Sequence, residues 1–332
     1  MPAVRIRACL LATIIAAAVI GLPAQPAFAQ GKPWKHALLN AKADAGFFMM
    51  SAKRGFAEKQ GLKLDLLQVK DDQIGLKALI AGEVDSFEGG PQGAFAAAAR
   101  GADVKIIGCH WVVVPHGIYV RDDIHKVEDL KGKSIAVSSP NTMPDLLARA
   151  ALAKYGVAPE QVKLAAVGGD RERYQALAGG VVEGAVVSNE YQPAMPKTLH
   201  LLIAGRDAVP NFLRVCLMTS GKVLKERGDD VVRFLAAEMQ ALRYALSHKA
   251  ETVALTQEII HAKPDDPRPA FVYDDEVAHH AIDPELPIPA EKLNWMQEQM
   301  VKAGKLKAAL PLDKISAPEY RAKALKLAGA SH

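Results

Sequence analysis

The stretch Ala78-Leu79-Ile80-Ala81-Gly82-Glu83-Val84-Asp85 recurs 98 positions later as Ala176-Leu177-Ala178-Gly179-Gly180-Val181-Val182-Glu183. Both copies read Ala-Leu-x-x-Gly-x-Val-acid, the end of a helix, a glycine stop and the start of an apolar strand. Working outward, the first copy closes a run with a strand at 37–40, a helix at 45–60 stopped by Gly61, a strand at 62–69, a helix at 72–81 and a strand at 84–87. The second copy closes the same order: strand 134–138, helix 144–155 stopped by Gly156, strand 162–167, helix 171–178, strand 185–187. Alternation of strands with helices of this length predicts an α/β chain whose strands run parallel with helices on both faces. Its occurrence twice predicts two similar lobes. Ligands of such sheets collect at the carboxyl ends of the strands, so a cleft between the lobes is the expected site.

The junctions are legible as well. The apolar run 106–119, broken by Pro115-His116-Gly117, predicts a strand crossing between lobes near 117–120, with a return near 212–220. Amphipathic helices follow at 230–247, 250–261 and 289–303, and the Pro-rich stretch 264–289 reads as a surface loop with at most a short helix near 274–281. The first lobe is therefore expected to be discontinuous, 30–118 plus 217–332, with 119–216 inserted as the second.

Composition bounds the function. Among 332 residues half are hydrophobic, so the chain buries enough surface to fold. The formal charge of +4 falls to +2 once Arg5 and Arg7 are removed, too little to argue for a nucleic-acid partner, and no basic stripe interleaved with aromatics occurs. Residues 1–29 read as a leader: two arginines, a charge-free apolar run at 8–22, then Ala27-Phe28-Ala29 as a small-x-small cleavage site. A mature chain starting near Gln30 and exported is the expectation, with a monomer as its expected state. Cys9 falls inside the leader, and Cys109 and Cys216 lie in apolar runs, where buried free thiols are expected although pairing in an oxidising compartment stays open.

The run Ala52-Lys53-Arg54-Gly55-Phe56-Ala57-Glu58-Lys59-Gln60-Gly61-Leu62 resembles a signature of exported solute-binding proteins of ABC import systems, in the nitrate, sulfonate and taurine group with the NMT1/THI5-like fold. Ala98-Ala99-Arg100-Gly101-Ala102-Asp103-Val104-Lys105 and Val127-Glu128-Asp129-Leu130-Lys131-Gly132-Lys133-Ser134-Ile135-Ala136-Val137 are also similar to that family, the last being common to several binding-protein families of one fold. The resemblance covers nearly the whole mature chain. It implies a two-lobed type II periplasmic-binding-protein fold, each lobe a mixed sheet flanked by helices. It also implies hinge closure on a small organic solute, delivery to a membrane permease with its ATPase, and no cofactor. An enzyme on the same fold, of the pyrimidine-precursor or menaquinone-pathway type, and a ligand sensor for a signalling partner are the alternatives.

No catalytic motif is present: no Gly-x-Ser-x-Gly, no His-Glu-x-x-His, no phosphate loop and no Cys-x-x-Cys. The pair His279-His280 points about 100° apart on a helix and predicts no metal site. Candidate solute contacts sit at strand-to-helix turns. Gly90 and Gln92, in Gly89-Gly90-Pro91-Gln92-Gly93, would let a ligand approach backbone N–H groups, unless the glycines serve a turn of positive φ. Ser139 and Thr142 offer hydroxyl donors and equally fit helix caps. Asn189, Glu190 and Tyr191 occupy the matching turn of the second lobe. An inward carboxylate at Glu190 would repel a bare anion and favour a solute with its own donors, or would pair with an arginine such as Arg214. Phe47, Trp111 and Tyr191 offer rings for an aromatic or heterocyclic solute, with core packing as the competing role of the first two.

Overall fold

The computed structural model describes Met1 and residues 32–140 and 142–329. The leader, its cleavage site, Cys9 and Asn141 lie outside the described residues. In the first half the order is β1 (Trp34–Leu39), α1 (Ala45–Lys53), α2 (Phe56–Lys59), β2 (Leu64–Val69), α3 (Asp72–Ile80), β3 (Ser86–Gly89), α4 (Pro91–Ala98) and β4 (Lys105–Trp111). The second half follows as β5 (His116–Arg121), β6 (Ser134–Val137), α5 (Met143–Lys154), β7 (Lys163–Ala166), α6 (Asp170–Ala178), β8 (Gly184–Ser188), β9 (Leu199–Ala204) and α7 (Gly205–Ala208). The chain ends with β10 (Val215–Thr219), α8 (Gly221–Glu226), α9 (Gly228–Ser247), α10 (Lys249–Ile260), α11 (Arg268–Ala278), α12 (Ala290–Lys302), α13 (Leu312–Ile315) and α14 (Pro318–Ala328).

Two five-stranded sheets result, ordered β2-β1-β3-β10-β4 and β7-β6-β8-β5-β9. The orders are the same under the repeat, with one exchange: each sheet takes its antiparallel fourth strand from the segment arriving from the other lobe. β5 pairs antiparallel with β8 and β9, and β10 with β3 and β4. Both sheets are therefore mixed rather than purely parallel. Because β5 pairs with the second sheet from His116 onward, α7 packs on α5, β5 and β9, and β10 pairs with the first sheet from Val215, the passages lie at 112–115 and 209–214. Each is a few residues earlier than the boundaries read from sequence, since the apolar run does not mark where pairing changes partner.

The repeated motif has a structural role in both halves. Asp85 accepts from the Lys35 N–H at 2.9 Å and Glu183 from the Ser134 N–H at 2.8 Å, so each motif acid anchors the start of its own lobe's first strand. Gly82 and Gly180 hold φ of 73° and 70°, the left-handed stop that side chains resist.

Three expectations change. The helix expected at 45–60 breaks at Gly55, which adopts φ 76° between α1 and α2. The stretch expected to be mostly loop carries α11, 11 residues long, whose Val272, Tyr273 and Glu276 are buried. Cys109 and Cys216 form a disulfide rather than free thiols, because β10 lies beside β4 with Cys216 directly opposite Cys109. The closed loop brackets the whole second sheet.

Candidate functional site

The carboxyl ends of β1, β2, β6 and β7 open onto a cleft of about 380 Å³. Lys42, Asp72, Gly90 and Arg214 line it from the first lobe; His116, Ser139, Thr142, Asp170 and Arg173 line it from the second. Asp72 and Asp170 are each the first residue of a nine-residue helix, α3 and α6. They are also related by the same shift of 98 that relates the two motif copies. The duplication therefore sets one carboxylate on each wall.

The two carboxylates differ in their neighbours. Asp170 is buried and meets Lys42 from across the cleft, Arg173 from its own helix and His116 Nε2 at 3.4 Å. Burial raises its pKa, but Lys42, Arg173 and His116 together hold it well below the ordinary carboxylate value. Lys42 is pushed up in turn: burial opposes its charge, and Asp170, Glu190 and Asp44 outweigh it. His116 titrates at about 4, because burial outweighs the pull of Asp170, and is neutral at pH 7. Among the described residues Asp72 forms no ion pair; its Oδ1 accepts the Gly90 N–H at 3.1 Å, and burial lifts its pKa to about 6 against that bond and the more distant Lys42 and Arg214.

Arg214, which lines the cleft with one edge, is buried against Asp44, and its guanidinium lies 4.2 Å from the centre of the Trp111 ring. Trp111 Nε1 donates to Glu276 Oε2 at 2.8 Å; burial lifts the Glu276 pKa to about 8. Glu190 is buried and points inward, accepting the Ala43 N–H at 3.2 Å across the lobes, and burial raises its pKa against the pull of Lys42. Arg214 takes Asp44 as its partner, not Glu190.

The sequence-derived candidates divide. Gly90, Ser139 and Thr142 line the cleft. Neither Gly89 nor Gly90 has a positive φ, and Gly90 sits at φ −65°; a Cβ there would fall 2.3 Å from Gln92 Nε2 and one at Gly89 2.4 Å from Asp72 Oδ1, so close approach requires them. Thr142 Oγ1 donates to the Ser139 carbonyl at 2.6 Å and accepts from the Ser138 hydroxyl, a turn-capping role that leaves its edge on the cleft. Gln92 lines an adjoining groove. Asn189 Nδ2 donates to Asp275 Oδ2 at 2.7 Å, a contact between lobes. The three rings do not line the cleft: Phe47 packs between Trp111 and Tyr273, Trp111 is wholly buried, and Tyr191 stacks on Tyr174 at 4.5 Å. Lys42, Asp72, His116, Asp170 and Arg173 were not singled out by sequence reading. The repeat carried the signal for the two aspartates; nothing local marked the others.

The NMT1/THI5 like family model matches residues 42–252. The chain belongs to the NMT1/THI5-like family. No curated protein sequence matches this family member. Its fold is similar to that of a Staphylococcus aureus ligand-binding component of an ABC-type import system, with TM-score 0.72, 15% identity, and coverage of 89% of this chain and 99% of that one. The periplasmic aliphatic sulphonate binding protein SsuA of Escherichia coli gives TM-score 0.70 and 18% identity over 86% and 92% of the two chains. The enzyme DszB, in complex with biphenyl-2-sulfinic acid, gives TM-score 0.64 and 16% identity over 88% and 99%. At these identities the likeness establishes the two-lobed α/β periplasmic-binding-protein fold, on which both binding proteins and an enzyme occur.

Proposed function

We propose that this chain is the solute-binding component of an ABC importer, capturing a small organic solute in the cleft by hinge closure and passing it to a membrane permease with its ATPase. The carrying observation is the cleft itself, built from strand-end loops of both lobes and bridged by the Lys42–Asp170 ion pair. A solute that touches both walls stabilises the closed arrangement by its differential contacts, with the hinge at the passages 112–115 and 209–214. Export to the periplasm is supported by the Cys109–Cys216 disulfide, since such bonds persist in oxidising compartments. Both cysteines being joined in the sheet, neither supplies a thiol nucleophile to the cleft.

The solute we infer carries hydrogen-bond donors. Lys42, Arg173 and Arg214 are each committed to a carboxylate and Lys70 stands exposed at the rim, whereas the Asp72 carboxylate faces the cleft with no ion pair among the described residues. With Phe47, Trp111 and Tyr191 packed elsewhere, ring stacking carries no part of this reading.

A thermal-shift and scattering screen of the mature chain with primary amines, amides, carboxylates and sulfonates tests it. The expected result is at least one donor-bearing stabiliser that also contracts the particle and is recovered chemically unchanged. Recovery of a converted compound would make the enzyme reading correct, and a panel with no stabiliser would overturn the cleft as a solute site.

A further inference from the structure

A second chamber of about 310 Å³ adjoins the cleft and shares Asp72, Gln73 and Thr142 with it. Its walls are two helices in matching register. Positions 72, 73, 76, 77 and 80 of α3 face it, and so do positions 92, 93, 96, 97 and 100 along α4 and the turn that closes it. Both sets follow the spacing i, i+1, i+4, i+5, i+8, which is one face of a helix over two turns. At 1.5 Å per residue that face is about 12 Å long. Leu76, Ala96, Ala97 and, from α12, Met300 make the walls largely apolar. The helices begin at the carboxyl ends of the parallel strands β2 and β3, so the groove starts at the cleft and runs outward.

Two acceptors stand where groove and cleft meet. Gln92 is only 2% exposed, and its Oε1 has no partner among the described residues. Its amide lies against Gly90, whose N–H in turn bonds Asp72, so the Gln92 amide and the Asp72 carboxylate are neighbours around one glycine. A buried acceptor left unpaired is costly. A donor head with more than one N–H is the group suited to these two acceptors.

We infer that the groove is the second half of the solute site, and that the solute is elongated, with an N–H donor head at Asp72 and Gln92 and an unbranched alkyl arm lying between α3 and α4. The inference rests on the cleft being the solute site.

Calorimetric titration of the mature chain with butylamine, hexylamine and octylamine tests this. Wild type is expected to bind each more tightly than the last, roughly tenfold per added pair of methylenes as apolar surface leaves water. Ala97→Phe, at a partly exposed groove position, is expected to fill the groove and abolish the dependence on length. Equal affinity for all three amines in wild type would overturn the groove while leaving the cleft intact. An unchanged length dependence in Ala97→Phe would overturn it too, by placing the arm elsewhere. Binding of anions but no amine would overturn the donor head, and no binding by any probe would instead sink the cleft reading beneath it.

Discussion

Replacing Lys42 with Met should loosen the closed arrangement of the lobes without unfolding either. Lys42 leaves the first lobe just after β1 and reaches Asp170 at the start of α6, on the opposite wall. Asp170 keeps Arg173 and His116 after the change, so its buried charge is not stranded. The Lys42 side chain is 31% exposed, which places the pair between a surface bridge worth about 0.2–1 kcal/mol and a buried one whose breakage costs about 3–5 kcal/mol. An intermediate value of about 1–2 kcal/mol shifts the open-to-closed ratio roughly 5- to 30-fold. Donor and acceptor dyes on the two lobes, read by single-molecule energy transfer without solute, should report a larger open population in Lys42→Met, with a melting temperature close to wild type. The wild-type distribution retained in the variant would refute the reasoning, because the remaining cross-lobe contacts from Glu190 and Asn189 would then suffice.

Three other outcomes follow from the same structure. Asp72, titrating near 6, is mostly neutral at pH 5 and ionised at pH 7, so a cationic probe should bind about tenfold more tightly at the higher pH; titrations on Asp72→Asn should be flat. Reducing the Cys109–Cys216 bond should lower stability by about 2–4 kcal/mol in chemical denaturation, since it closes a loop of sequence separation 107, and the Cys109→Ser variant should match the reduced protein. Glu238 is buried near the Glu88 charge, and burial, chiefly, pushes its pKa up to about 8. A carboxyl raised in the folded state costs stability as pH climbs from its unfolded value towards the folded one, so denaturation of Glu238→Gln should show a gain on the order of 2–4 kcal/mol at pH 9 and little change at pH 5.

The candidate site was partly legible beforehand. Loops bearing Gly90, Ser139 and Thr142 were found because strand ends in a βα chain have a fixed destination. For Phe47 and Trp111 cleft and core stayed open, because an aromatic near a helix start or strand end has the same sequence signature in a wall and in a core. Only packing separates them: the α11 residues Tyr273 and Glu276 cover both rings. That helix was itself obscured by the prolines around it.

What the sequence determined by itself was the repeating order of strands and helices, their glycine stops and the equivalence of the two halves, since these depend on contacts between near neighbours and on periodic burial. Tertiary structure decided the rest. The exchange of β5 and β10 between sheets, the partner of each cysteine, and the gathering of Lys42 and His116 around Asp170 all join residues at least 54 positions apart. No local pattern records such pairings, because the interactions that select them exist only once the two sheets face each other.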